Sequence, residues 1–279
     1  MKSKLNWFVS PRQLILQLLI TVVIVAAAEP ATTLPPAAPV YDLVFVGDSI
    51  TYGANLSAPD AEAPPVRCMQ SLLERYQVQL QMSNQGHGGH TTVDWLPSTN
   101  SSSDFQCALA AAAGLESNSP GPLIFSIMLG ANDSAQRGPK GSPVSPASYR
   151  HNLQSLVDGF LGSYPNAFII VHYPTWYSTN AENSSLYAAA GLARLRTYLP
   201  EIDRLISNCA TTHPRHVFAG DRLAFDYFST NHLTSLTPEP GRQGTFYLHP
   251  NRAGADVLGK FWADAIAAQL KLPARRQSE

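Results

Sequence analysis

Four short segments carry side chains of the types that acyl chemistry requires. Gly47-Asp48-Ser49-Ile50-Thr51-Tyr52-Gly53 offers a serine hydroxyl close to a glycine. A serine at a strand-to-helix turn can present its Oγ to a ligand, and the first N–H groups of a helix have no acceptor within it. Asn84-Gln85-Gly86-His87-Gly88-Gly89-His90-Thr91-Thr92 is glycine-rich, so its backbone can come close to a ligand and aim an N–H at it. Gly130-Ala131-Asn132-Asp133 holds an amide that can donate into the same space, and His249-Pro250-Asn251, with Gly254 following, places an imidazole just ahead of a helix. A nucleophile, a base and donors for a developing oxyanion are therefore all available. Each segment alone is weak. Gly-Asp-Ser arises by chance, Asn-Asp after a strand is ordinary turn chemistry, and a lone His before a helix is more often a structural hydrogen bonder. Their order along the chain, with the first three at expected strand ends, gives them weight.

The elements that must position these residues follow from hydrophobic pattern. Tyr41–Val46, Val78–Met82, Leu123–Leu129, Ala167–Val171 and His216–Ala219 are short apolar runs of strand length. Between and after them, helical spacing marks Val66–Tyr76, Phe105–Leu115, Tyr149–Tyr164, Tyr187–Cys209 with a break expected at Pro200, and Asn251–Leu270. Strands apolar on both faces, alternating with helices, predict one doubly wound α/β domain with a parallel sheet. In such sheets ligands bind beyond the carboxyl ends of the strands.

At these positions the chain resembles the SGNH, or GDSL-like, hydrolases. Gly47-Asp48-Ser49, Asn84-x-Gly86-x-x-Gly89, Gly130-Ala131-Asn132-Asp133 and His249-Pro250-Asn251 are similar to that family's four blocks, in its order, and the likeness runs from about Tyr41 to Leu270. The resemblance implies a flavodoxin-like three-layer α/β/α sandwich with a five-stranded parallel sheet. It implies Ser49 as nucleophile, His249 as general base, and the N–H groups of Ser49 and Gly89 with the Asn132 side chain as oxyanion hole. It implies no cofactor.

One position departs from the family pattern. The family usually carries Asp three residues before its His, and here that residue is Phe246. Three readings follow. A backbone carbonyl orients His249, giving a Ser-His dyad; or Asp221, Asp226 or Glu239 reaches it from the preceding loop; or the protein is a catalytically dead binder. The dyad is narrowly preferred, because a long Gly/Pro-broken loop gives no spacing argument for where an acid lands.

The remaining polar and aromatic residues give softer signals. His87 and His90 have x-x spacing, but the one acid close by in sequence is Asp94. Zinc sites need three or four ligands, so no metal is expected, and the two histidines are placed in the substrate crevice. Tyr173 and Trp176, on the loop after the fourth strand, could stack on sugar rings; Trp95 and Tyr52 lie on other crevice loops. Ordinary packing of that loop is the competing reading.

The 279 residues are 44% hydrophobic and 14% charged, with a formal net charge of −1. That composition excludes a largely disordered chain. The absence of a basic block or stripe argues against nucleic acid as partner. Residues 1–28, with Lys2, Lys4 and Arg12 before an apolar stretch ending in Ala26-Ala27-Ala28, read as a signal peptide. An uncleaved N-terminal anchor is the alternative. Residues 29–40 read as a Pro/Ala linker, 41–272 as the hydrolase domain and 273–279 as a frayed polar tail. The expected localisation is secreted or periplasmic. Cys68, Cys107 and Cys209 could supply one disulfide and one free thiol, with no basis for choosing the pair.

The function these readings favour is a secreted serine esterase acting on short-chain carboxylic esters, O-acetyl groups on carbohydrate above all. The expected partner is a small-molecule or polysaccharide ester, with no stable membrane partner after cleavage. The alternatives are a lysophospholipase or general short-chain lipid esterase, and a non-catalytic carbohydrate-binding protein on the same fold.

Overall fold

The computed structural model describes residues 40–118, 121–180, 185–242 and 244–275. The expected signal peptide and nearly all of the expected linker lie outside these residues.

The described chain alternates strands and helices. β1 (Val40–Gly47) leads through α1 (Ser49–Tyr52), α2 (Pro59–Glu62) and α3 (Pro64–Arg75) to β2 (Gln79–Gly86). α4 (Asp104–Asn118), β3 (Leu123–Met128), α5 (Ala131–Ser134), α6 (Pro146–Ser163) and β4 (Phe168–Val171) follow. The chain continues with α7 (Ala188–Thr212), β5 (Val217–Ala219), α8 (Ala224–Ser235), β6 (Leu236–Gly241), β7 (Gly244–Pro250) and α9 (Arg252–Leu270). β1 to β5 form a parallel sheet in the order β2-β1-β3-β4-β5, the flavodoxin-like order that the resemblance implied. β6 and β7 pair antiparallel as a separate hairpin.

The pleat sorts the core onto two faces. Val44 pairs with Phe125, and Phe45 with Ser126. Successive side chains along a strand point to opposite faces, so Phe45 and Ser126 share one face, Val44 and Phe125 the other. On the first face Phe45 stacks on Trp262 of α9 at 5.9 Å between centroids. On the second Phe125 stacks on Phe160 of α6 at 4.1 Å. Helices therefore cover both sides, which is why β3 is buried along its whole length.

His172, directly after β4, belongs to the first face. It lies against Trp262, its Nε2 bonds Ser126 Oγ at 2.9 Å, and its Nδ1 accepts the Asp221 N–H at 2.9 Å. Burial pushes its pKa down to about 3, so the ring is neutral.

Three expectations are corrected. α7 runs through Pro200 without a break. Leu195, Tyr198, Ile202 and Leu205 are buried on either side of the proline, so packing outweighs the lost backbone bond. The start of the tail is not frayed: Gln77 N–H donates to Pro273 O at 2.9 Å, and Arg275 N–H to Arg75 O at 2.8 Å. The segment expected to be a long loop before His249 is α8 followed by the β6–β7 hairpin. Two prolines hid β6, and an edge strand tolerates them because half its N–H groups need no ladder partner. All three cysteines are free thiols.

Candidate active site

The carboxyl ends of β1, β2 and β3 bring the first three segments together. β1 ends at Gly47, where an added Cβ would lie 1.9 Å from Thr51 Oγ1 and 2.9 Å from Met128 O. Only hydrogen fits at this turn. Asp48 then caps α1, accepting the Ile50 N–H at 2.9 Å. Its carboxyl is enclosed, and burial raises its pKa to about 6. Ser49 is the first helical residue. Gly53 closes this single turn in the left-handed region at φ +91°.

The glycine-rich segment leaves β2 and turns back over the same end. Gly89 has φ +79°, a conformation that favours glycine. The loop is pinned on both sides. His87 N–H donates to Gly47 O at 3.1 Å, and the buried Trp95 Nε1–H donates to the same carbonyl at 3.2 Å. Thr92 N–H donates to both Asp133 carboxylate oxygens, at 3.0 and 3.1 Å, and its hydroxyl donates to Oδ1. Burial raises the pKa of Asp133 to about 7 against the pull of those donors. The second residue of the Asn-Asp pair is therefore more than turn chemistry, because it ties the loop to α5.

Asn132, buried on α5, is held at both ends of its amide. Its Nδ2 donates to His90 O at 2.9 Å, and its Oδ1 accepts the Tyr187 hydroxyl proton at 2.8 Å. The His90 carbonyl is acceptor-only, so the amide orientation is determined and a second Nδ2 hydrogen remains for a ligand. Tyr187 was not singled out in the sequence. It lies 55 residues from Asn132, with no spacing signal to link them.

The fourth segment arrives on the hairpin. His249 Nε2 lies 2.8 Å from Ser49 Oγ, and His249 Nδ1 lies 2.7 Å from Glu239 Oε1. A carboxylate oxygen accepts, so Nδ1 carries the proton and Nε2 presents its lone pair to the serine hydroxyl. The expected dyad, with a backbone carbonyl behind His249, is thus corrected: a carboxylate stands there. Glu239 pairs across the hairpin with Phe246, the position where the family carries its Asp. The acid facing His249 thus comes from the strand beside Phe246. A register shift between Leu236 and Pro238 marks a bulge beside His249, a device that re-aims side chains near functional sites.

The other two acids do different work. Asp221 caps the start of α8, accepting Leu223 N–H at 2.8 Å and Ala224 N–H at 3.3 Å. Asp226 is exposed in the first turn of α8. Asn55, also not foreseen, places its Nδ2 3.3 Å from His249 Nδ1.

The hairpin is fastened to the main domain. Ser178 N–H donates to Tyr247 O at 2.9 Å, and Tyr247 N–H returns to Ser178 Oγ at 2.9 Å. Asn251 caps α9 through Gly254 N–H at 3.0 Å, and its N–H donates to Ser235 O at 3.1 Å.

The aromatic crevice residues are partly corrected. Tyr173 is 2% and Trp176 9% exposed, so neither offers a ring face to a sugar. The Tyr173 hydroxyl donates to Asp203 at 2.5 Å with Arg222 over its ring, and Trp176 packs on His232. Trp95 is fully buried; Tyr52, at 51%, is the exposed aromatic close to Ser49. His87 and His90 stand half-buried on the turn that contains Gly89, stacked at 5.2 Å.

Among known proteins, a family model described as the GDSL-like Lipase/Acylhydrolase family matches residues 45–257. No curated protein matches the chain in sequence. Several solved structures share the fold. Est24, a carbohydrate acetylesterase from Sinorhizobium meliloti, is 17% identical over 82% of this chain and 99% of its own, with a TM-score of 0.55. A mutant of Axe2, an acetyl-xylooligosaccharide esterase from Geobacillus, is 18% identical over 87% of this chain and 99% of its own, with a TM-score of 0.55. LAE5, an alpha/beta hydrolase enzyme from the metagenome of Lake Arreo in Spain, is 24% identical over 84% of this chain and 96% of its own, also at 0.55. The matched span takes in the Ser49 turn, the glycine-rich loop, Asn132 and the hairpin, and by that match the chain belongs to the SGNH, or GDSL-like lipase/acylhydrolase, family.

Proposed function

We propose that the chain is an exported serine esterase that removes short acyl groups, O-acetyl groups on carbohydrate in the first place. The observation that carries this reading is the continuous path Glu239–His249–Ser49, with contacts of 2.7 and 2.8 Å. In the reaction Ser49 Oγ attacks the acyl carbonyl carbon while His249 Nε2 takes the hydroxyl proton. Glu239 stabilises the imidazolium that forms. The developing oxyanion is held by the N–H groups of Ser49 and Gly89 and by the free Nδ2 hydrogen of Asn132. His249 returns its proton to the departing alkoxide, leaving an acyl-serine. Water, deprotonated by His249, then hydrolyses that ester.

Carbohydrate acetyl esters are favoured for two reasons. Est24 and Axe2, which share the fold, act on such substrates by their descriptions. On the segments that follow β1 and β2, the Tyr52 ring is exposed and the His87 and His90 imidazoles are half-buried. This is a small polar and aromatic wall that suits a sugar hydroxyl face better than a long acyl tail. Export rests on the basic and apolar character of residues 1–28. Among the described residues no helix is long and apolar enough to cross a membrane.

The test measures acetyl release from a panel of acetylated polysaccharides and a chain-length series of model esters, by the native protein and by Ser49→Ala. The proposal expects preference for acetyl over long acyl chains and a loss of roughly 10⁴-fold or more in the alanine variant. Equal turnover by the two proteins would overturn the serine mechanism. A long-chain preference would move the substrate to lipid.

A further inference from the structure

The glycine-rich turn and the start of α4 bring together three side chains, none of which takes part in the bond-making and bond-breaking steps at Ser49. His87 and His90 both direct Nδ1 at the carboxylate of Asp104. Nδ1 of His90 bonds Oδ2, and Nδ1 of His87 lies 3.7 Å from Oδ1. One ligand atom from each of the three residues can be chosen so that all lie within 4.8 Å of one another. Asp104, the first residue of α4, has its side chain 11% exposed, while the imidazoles are 38% and 35% exposed. An open cavity of about 430 Å³ adjoins them, lined by Asp94, Ser103 and Lys140 among others. Lys140 is engaged by Asp94 at 3.3 Å, which draws its charge away from the Asp104 carboxylate.

We propose that His87, His90 and Asp104 form a binding site for one divalent transition ion of the zinc class. Two imidazole nitrogens and a carboxylate oxygen are a borderline-soft donor set that suits zinc and disfavours magnesium or calcium, which prefer oxygen alone. Tetrahedral zinc holds nitrogen and oxygen donors at about 2.0–2.2 Å, so its ligand atoms stand roughly 3.3 Å apart. Reaching that spacing needs only small ring movements, and the two glycines between the histidines permit them. Solvent from the adjoining cavity completes the shell. Asp104 follows His90 by 14 residues, so His-x-x-His showed no third ligand in the sequence, and the fold supplies it.

The ion would brace the oxyanion loop. The His90 carbonyl carries the Asn132 amide at 2.9 Å, and metal bonds from His87 and His90 to Asp104 would clamp that loop onto α4. The site is a positioning device, separate from the Ser49 chemistry, and its metal affinity does not depend on esterase activity.

The experiment titrates zinc chloride into the metal-stripped native protein at neutral pH, by calorimetry and by thermal unfolding. Expected are one saturable site of micromolar affinity and, at a hundredfold excess over Kd, a Tm rise of roughly 5 °C. Asp104→Asn and His87→Gln should each weaken binding at least about tenfold and abolish the Tm rise, in proteins whose circular dichroism is unchanged. His213→Gln, altering a distant His–Asp pair with a 2.8 Å contact, should leave the affinity within twofold. Magnesium chloride should not compete. No saturable zinc binding below 1 mM overturns the proposal. So does binding that survives either Asp104→Asn or His87→Gln, or binding that His213→Gln removes. Should either test variant misfold, His87→Ala and Asp104→Ala take their places under the same criteria.

Discussion

Ser49 and Asn132 sit within four residues of the strands that place them, whereas His249 and Glu239 ride on a two-stranded hairpin outside the main sheet. On the serine side each group is delivered by a strand end whose position the parallel sheet already dictates. β1 and β3 are adjacent and in register, Gly47 opposite Met128, so the turns that follow them must meet. On the histidine side nothing in the sheet places the groups. The imidazole depends on hairpin register, on a bulge, and on the hydrogen bonds of Tyr247 and Asn251 to Ser178 and Ser235. A parallel sheet thus builds one half of the site from local chain geometry. The other half is assembled from hairpin pairing, and the acid that faces His249 lies across that hairpin from Phe246.

Glu239→Gln probes the hairpin half directly. If the carboxylate orients and compensates His249, the amide variant should lose on the order of a thousandfold in kcat, with the fold intact by circular dichroism. Asp226→Asn, on the exposed face of α8, should change turnover less than twofold. Asp221→Ala should lower Tm through its lost cap but keep turnover per folded molecule within tenfold. Loss confined to Asp221 or Asp226 would show that the hairpin is not the source of the acid.

Asn132→Ala probes the strand-end half. The expected cost is roughly a hundred- to a thousandfold in kcat, with little change in KM, because an oxyanion donor acts on charge present only in the transition state. A KM effect alone would make Asn132 a ground-state binding group. Tyr187→Phe is a milder form of the same test. Removing the hydroxyl leaves Asn132 Oδ1 without its donor while His90 O still holds Nδ2, and a drop of about tenfold in kcat is expected. Tyr187→Phe combined with Asn132→Ala should be no worse than Asn132→Ala alone, since the tyrosine acts through the amide.

The smallest effect on turnover is expected at His172, in the scaffold beneath both halves. Its folded pKa, about 3, lies below the usual value of 6.5. In the unfolded chain the ring takes a proton first as pH falls, so its stabilising contribution is full above about 6.5 and is lost on acidification toward 3. The stability difference between the native protein and His172→Gln should therefore narrow by about 1.4 kcal/mol for each pH unit below about 6. Following that difference, rather than absolute stability, cancels the opposite trend of Asp48 and Asp133, whose raised pKa values favour the fold at low pH. A gap independent of pH would mean that the folded ring titrates normally.

Much of the strand-end half was legible in advance. Apolar runs such as Leu123–Leu129, of strand length and followed by glycine, read as buried strands, and Gly47 ahead of Asp48-Ser49 and Gly130 ahead of Ala131-Asn132 mark where the chain turns. Pattern could not reveal partners distant in sequence. Tyr187 reads as the start of a helix, Asp133 as turn chemistry, and Asp104 as a helix-leading acid. Each acquires its role through a neighbour 41 or more residues away, or 14 in the case of Asp104. Tyr173 and Trp176 were misread for the converse reason. Polar neighbours on a loop suggest an open face, but burial is decided by what the rest of the chain lays over it.

What this sequence determined by itself is the five strands of the parallel sheet and the main helices between them, because hydrophobic period is a local property; Ser49, Asn132 and His249 stood out as candidates for acyl chemistry through their resemblance to the four family blocks. What only the tertiary structure decided is the acid behind His249. Glu239 lies in Leu236–Gly241, a segment whose two prolines and lack of alternation deny it any local strand signal. It becomes a strand only by pairing with Gly244–Pro250, and pairing register is a contact between segments that no single segment encodes.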